Sequence, residues 1–133
     1  MVVLQKKYEK LFEAALKARE NSCSPYSGFK VGAAVLTESG RIYSGCNIES
    51  SSFGLTMCAE RNALSAALCA GEKDISAVLV TADTPDPVSP CGACRQLIYD
   101  YAPDARIILT NLKRQVLEFK IEEMLKYPFG KFK

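Results

Sequence analysis

Apolar residues recur at helical intervals at the start of the chain, at Leu4, Tyr8, Leu11, Phe12, Ala15 and Leu16. Positions three and four apart lie on one helix face, so this segment predicts an amphipathic helix over the first 20 residues. The pattern breaks at NSCSPYSG, residues 21–28, where Ser, Pro and Gly make a loop. VGAAVLT and RIYSGCNIE follow, two runs of strand type joined by ESG. TMCAERNALSAALCA returns to small apolar residues at helical spacing and predicts a helix over about residues 58–70, stopped by Gly71. ISAVLVTAD is apolar throughout, the pattern of a strand covered on both faces. At the end of the Pro-rich TPDPVSP, Ser89 is expected as the N-cap of a third helix, with Pro90 at its first position. RIILTN and QVLEFKI predict two more strands, and a short helix is expected around residues 122–126.

Strands that alternate with helices indicate an α/β domain with its sheet between helical layers. The hairpin at Arg41 makes that sheet mixed. The expected architecture is therefore a three-layer α-β-α domain with a mixed sheet of about five strands. No linker, repeat or low-complexity segment interrupts it, so residues 1–133 are expected to form a single catalytic domain.

Composition narrows the function classes. A net charge of +2 and the lack of a basic run argue against a nucleic-acid partner. No apolar stretch reaches the length of a membrane span and the first residues carry no secretory pattern, so no membrane partner and a cytoplasmic location are expected. Six cysteines and no histidine are the unusual counts. In a reducing compartment, thiols serve as packed side chains, metal ligands or nucleophiles more often than as disulfides. Without histidine, acid–base chemistry near neutral pH falls to a carboxylate, a lysine or metal-activated water.

Three of the cysteines sit where two helices begin: Cys58 opens one, and Cys91 and Cys94 lie in the first turns of the next. Residues three apart on a helix have β-carbons about 5–6 Å apart, which suits two sulfurs on one zinc ion at about 2.3 Å each. The partial positive charge of a helix N-terminus favours thiolate over thiol. Three alternatives stand beside zinc catalysis. CGAC alone also fits a dithiol redox motif, and the three cysteines with a fourth could make a structural zinc site. Cys69 is a poor fourth ligand, about 16 Å along the helix from Cys58, whereas spacing leaves Cys23 and Cys46 open. All six could also be packed, inert thiols, the fate expected individually for Cys23, Cys46 and Cys69.

Glu60 and Arg61 separate these possibilities. Arg61 projects to the same side as Cys58 and can donate to the sulfurs, which offsets the excess charge of three thiolates on a dication. Glu60 points about 200° away from Cys58 around the helix, making it a poor ligand. It is instead placed to stand beside an open coordination position, and that combination marks a catalytic rather than a structural site.

CAE followed by PCGAC resembles the signature of the zinc-dependent cytidine deaminase superfamily. Over about residues 24–111 the chain is similar to the small homotetrameric cytidine deaminases of pyrimidine salvage, through SPYSGFKVGAAV, GCNIESSSFGLTMCAERNA, TADTPDPVSPCGACRQ and ILTN. The resemblance implies one zinc per chain on Cys58, Cys91 and Cys94, with water in the fourth place, and Glu60 as proton shuttle. It implies that Arg61 hydrogen-bonds the ligand sulfurs, that Asn47 and Glu49 hold the ribose hydroxyls, that Phe29 packs on the pyrimidine, and that Ala59 is a substrate contact. Zinc-bound hydroxide then attacks carbon 4 of cytidine or 2'-deoxycytidine, giving uridine or 2'-deoxyuridine and ammonia. It also implies a homotetramer whose active sites are completed by neighbouring subunits. The alanine-rich face at Ala63, Ala66, Ala67 and Ala70 would allow close helix packing in such an assembly.

The chain departs from the family pattern in two places. NIESSSFG puts Phe53 where many members carry a tyrosine, which removes a hydroxyl. In YPFGKF, either Phe129 or Phe132 corresponds to the aromatic that reaches a neighbouring subunit's pocket. Three rival functions share some of these features: a blasticidin-type antibiotic deaminase, a polynucleotide-editing deaminase and a non-catalytic zinc-stabilised scaffold. The salvage-type NIE and SPYSGF stretches disfavour the first, and the want of a basic, aromatic-lined channel disfavours the second.

Overall fold

A computed structural model of the chain describes residues 2–130. A 3₁₀ turn (Lys6–Tyr8) leads into α1 (Glu9–Arg19), then β1 (Val31–Thr37) and β2 (Ile42–Cys46). These are followed by α2 (Ala59–Cys69), β3 (Ile75–Ala82), α3 (Gly92–Tyr101), β4 (Arg106–Thr110), β5 (Val116–Lys120) and α4 (Ile121–Met124). The strands form one mixed sheet in the order β2-β1-β3-β4-β5. Only β3 and β4 run parallel, joined through α3; the other neighbouring pairs are antiparallel.

Strict alternation of side chains divides the sheet's residues between two cores. Ala34, Ala77, Leu79 and Ile108 face α1, where they meet Leu11, Phe12 and Ala15. Ala33, Val35, Val78, Val80, Ile107 and Leu109 face the other way, against Ala63, Leu64 and Ala67 of α2 and Ile98 of α3. The α-β-α layering expected from the apolar strand runs is therefore observed. Each fully buried Leu, Ile, Val or Phe in these layers contributes about 1.5–3 kcal/mol.

Two glycines let the helices approach the sheet. A β-carbon on Gly32 would lie 2.0 Å from the Ala15 carbonyl oxygen of α1, and one on Gly45 would lie 2.6 Å from the Ala63 nitrogen of α2. The two bare spots face opposite sides, so one seats α1 and the other seats the helix that carries Glu60.

Several expected boundaries shift. The first helix begins only at Glu9, and Val2 instead bridges to Val116 of β5. α2 begins at Ala59 with Cys58 as its N-cap residue, and the closing helix covers Ile121–Met124. The third helix starts two residues later than Ser89 and Pro90 suggested, with Cys91 at the N-cap. The Ser89 hydroxyl is engaged by the Arg95 guanidinium, 2.7 Å away, and is thus taken from the capping role. The cysteines outside the helix starts also differ from expectation, because Cys23 and Cys69 are exposed and only Cys46 is half-buried. Of the alanines on the face suited to packing another subunit, Ala63 and Ala67 are buried within the chain itself, whereas Ala66 and Ala70 are exposed.

Candidate active site

The N-termini of α2 and α3 converge, and each brings a cysteine at its N-cap. Neither sulfur caps its own helix; they turn toward each other. Cys58 Sγ lies 3.6 Å from Cys91 Sγ, Cys91 Sγ lies 3.5 Å from Cys94 Sγ, and all three fall within 4.8 Å of one another. Three sulfurs at about 2.3 Å from a tetrahedral zinc would be about 3.8 Å apart, so the cluster fits that ion with little movement. The cluster leaves a fourth tetrahedral position without a protein ligand from these three residues.

The electrostatics suit a cation. A side-chain hydrogen bond with Cys94 is the main influence that brings the Cys58 thiol down to about 5, with help from Arg61 and Cys91. The same hydrogen bond, burial and the neighbouring negative groups push Cys94 up. One proton is thus easily lost, and a bound dication would deprotonate the remaining sulfurs. Arg61 Nη2 donates to Cys58 Sγ at 3.4 Å and to the Thr56 carbonyl at 3.2 Å. Its Nε is buried without a hydrogen-bond partner among the described residues.

Glu60 is only 5% exposed. Burial is the main cause that pushes its carboxyl up to about 7, and the charge on Cys58 adds to the effect. A carboxyl in this state can both hold and release a proton near neutral pH. It lines a cavity of about 200 Å³ together with Phe29, Asn47, Ala59, Cys58 and Cys91. The structure therefore brings most of the residues singled out from sequence to one place.

Two of them are already engaged by the fold. Asn47 is buried; its Oδ1 accepts from the Val31 amide at 2.9 Å and from the Ser22 hydroxyl at 2.5 Å, while Nδ2 donates to the Phe29 carbonyl at 2.7 Å. One Nδ2 proton is left to offer. Glu49 is not among the cavity-lining residues. Its Oε1 accepts from the amides of Tyr26 and Ser27 at 3.0 and 3.1 Å, and Oε2 accepts from the Ser27 hydroxyl. Thr56, Met57, Val31, Val88 and Ser89 also line the cavity and were not singled out as site residues from sequence. Nothing in their residue types marks them; only the convergence of the loops before α2 and α3 does. Phe53 is exposed and stacks edge-on against Tyr26, with ring centres 6.0 Å apart. Phe129 is exposed, and Phe132 lies outside the described residues.

A buried carboxyl beside a three-sulfur site with a place for water belongs to metal-assisted hydrolysis. The family model for the cytidine and deoxycytidylate deaminase zinc-binding region matches residues 5–110. The chain is 48% identical over 124 residues to a cytidine deaminase of Sporosarcina psychrophila, spanning 92% of this chain and 91% of that protein. It is 39% identical over 103 residues to a blasticidin-S deaminase of Bacillus cereus, spanning 71% of this chain and 73% of that protein. Among solved structures, a cytidine deaminase from Burkholderia pseudomallei superposes with a TM-score of 0.88 at 42% identity, covering 92% of this chain and 98% of that one. The chain belongs to the zinc-dependent cytidine and deoxycytidylate deaminase family.

Proposed function

We propose that this chain hydrolyses cytidine and 2'-deoxycytidine to uridine and 2'-deoxyuridine with release of ammonia, as a step of pyrimidine salvage. The observation that carries this is Glu60, a buried carboxyl at the cavity wall with its acidity moved to about 7, next to the thiol cluster. Cys58, Cys91 and Cys94 would hold one zinc ion, which when bound would supply the Lewis acidity that makes water nucleophilic near neutral pH.

The chain's own groups do the rest. Glu60 as carboxylate takes a proton from the attacking water and gives it to ring nitrogen 3; it then takes the second proton of that same oxygen, now bonded to carbon 4, and delivers it to the amine, which leaves as ammonia as the carbonyl forms. Arg61 draws charge from Cys58 through its hydrogen bond and so preserves the metal's acidity. Phe29, Ala59 and the free Nδ2 proton of Asn47 position the nucleoside. Glu49 has one lone pair left for a ribose hydroxyl once its three loop bonds are counted.

The whole chain is read as one catalytic domain that works as a homotetramer with active sites completed by neighbouring subunits. Tyr26, Phe29, Ile48, Phe53 and Leu55 support this, as an exposed apolar group around the Glu49 loop. The described residues contain no helix long and apolar enough to cross a membrane. Reliance on three free thiols suits the reducing cytoplasm.

The likeness to a blasticidin-S deaminase favours one second reading, in which the favoured substrate is an aminopyrimidine antibiotic. Turnover of cytidine, deoxycytidine and blasticidin S, each followed by ultraviolet absorbance, separates the two. Higher kcat/KM for the nucleosides supports the salvage assignment, and a preference for blasticidin S replaces it.

A further inference from the structure

The turn that delivers Cys91 has little regular structure to hold it. Residues 87–91 belong to no helix or strand, yet Val88, Ser89 and Cys91 all form cavity wall. A Val88 amide bond to the Thr110 carbonyl, 3.1 Å, fixes one end to β4. The other end meets Arg95, a half-buried residue of the first turn of α3.

Arg95 binds that turn with both its backbone and its side chain. Its amide donates to the Cys91 carbonyl at 2.9 Å, the first bond of the helix. Its guanidinium then reaches back: Nε donates to the Pro90 carbonyl at 2.9 Å and Nη2 to the Ser89 hydroxyl at 2.7 Å. The third arm, Nη1, donates to the Met124 carbonyl at 2.8 Å, at the last residue of α4. The Pro90 carbonyl precedes the helix, so no intrahelical amide is available to it. The fixed fork of the guanidinium satisfies three acceptors on two separate segments at once, which a lysine cannot reproduce.

We propose that Arg95 is a positioning residue for the metal centre: it locks the Ser89–Pro90–Cys91 turn against α3 and α4, and so sets where the Cys91 sulfur meets Cys58 and Cys94. This rests on the assignment of those sulfurs as the zinc site. The role differs from that of Arg61, which touches a sulfur directly. Arg95 acts on the backbone immediately before a ligand and on a hydroxyl of the cavity wall. The adjacent Gln96 extends the same link to the C-terminal segment, since its Nε2 donates to the Phe129 carbonyl at 3.0 Å.

The test is the rate of zinc loss from purified, zinc-loaded protein to a chromogenic chelator, for the parent, Arg95→Gln, Arg95→Lys and Arg106→Gln. Arg106 pairs with Glu118 between β4 and β5 and serves as a control for loss of an ordinary arginine contact. Arg95→Gln should release zinc about 10-fold or more faster than the parent, the scale seen when groups supporting a metal ligand are removed. Arg95→Lys should remain fast despite its charge, Arg106→Gln should match the parent, and KM for cytidine should rise in Arg95→Gln as the Ser89 wall loosens. If Arg95→Gln does not fold, Arg95→Lys alone decides. Parent-like zinc release by the folded Arg95 variants overturns the positioning role, as does equal acceleration in Arg106→Gln. A parent protein that binds no zinc overturns the metal site itself, a distinguishable result.

Discussion

Glu60 stands in the cavity wall and Glu49 is tied to Tyr26 and Ser27, and these surroundings move their acidities in opposite directions. Around Glu60 the cost of burying charge prevails and the carboxyl holds its proton up to about 7. Replacing it with glutamine keeps the shape and removes the proton transfer, so Glu60→Gln should fold and retain zinc while turnover falls by about 10²–10⁴-fold, the usual worth of general acid–base catalysis. Zinc analysis and an ultraviolet rate assay on the same sample check this; a variant with near-parent turnover removes the proton-shuttle role. Around Glu49, hydrogen bonds from Ser27 and then Tyr26 favour the charged form and hold the carboxyl below its ordinary value. Folding lowers this acidity, so the loop's gain is complete above the unfolded carboxylate value of about 4.3 and disappears as pH falls through the lower folded value. The amide resonances of Tyr26 and Ser27 should therefore titrate with a midpoint below about 4.3; a midpoint at or above it contradicts the assigned hydrogen bonds. Cys58, Glu60 and Arg61 were legible in the sequence because a thiol, a carboxylate and a guanidinium at one helix start are groups able to ligate a metal, carry a proton and offset thiolate charge. The double engagement of Asn47 was not, because its partners Ser22, Phe29 and Val31 are remote in the chain and meet it only after β1 and β2 pair.

At the scale of elements, catalytic geometry depends on how two helix N-termini are seated. α2 rests on β2 through Gly45, where any side chain would meet the Ala63 backbone. Gly45→Ala should force the helix off the sheet and cost about 1–3 kcal/mol, as overpacking does elsewhere. Urea unfolding of the zinc-free protein measures this cost, and an unchanged midpoint would show that α2 can shift freely. The strand runs of β1, β3 and β4 could be read from their apolar patterns, since burial on both faces leaves no polar alternation. The start of α3 could not be read correctly from Ser89 and Pro90. Serine before proline is a sound capping pattern locally, but the guanidinium of Arg95 competes for the same hydroxyl. The N-cap falls instead at Cys91, one of the three clustered thiols.

For the whole molecule, the sheet order β2-β1-β3-β4-β5 places the parallel pair beside the antiparallel hairpin. The loops before α2 and α3 then open on a shared cavity. Layering and a mixed sheet followed from the order of predicted strands and helices. The order of strands within the sheet did not, because it depends on side-chain packing between segments distant in the chain, including Gly32 under α1 and Gly45 under α2. The central claim concerns the assembled protein: three sulfurs from two helix starts hold one zinc ion, and deamination requires it. Stepwise addition of zinc to metal-stripped protein, with cytidine conversion to uridine followed at each step, tests this most directly. Activity should be absent at the start, rise in proportion to added zinc and level off at one ion per chain. Full cytidine turnover by the stripped protein, or none after one zinc ion is bound per chain, would contradict it.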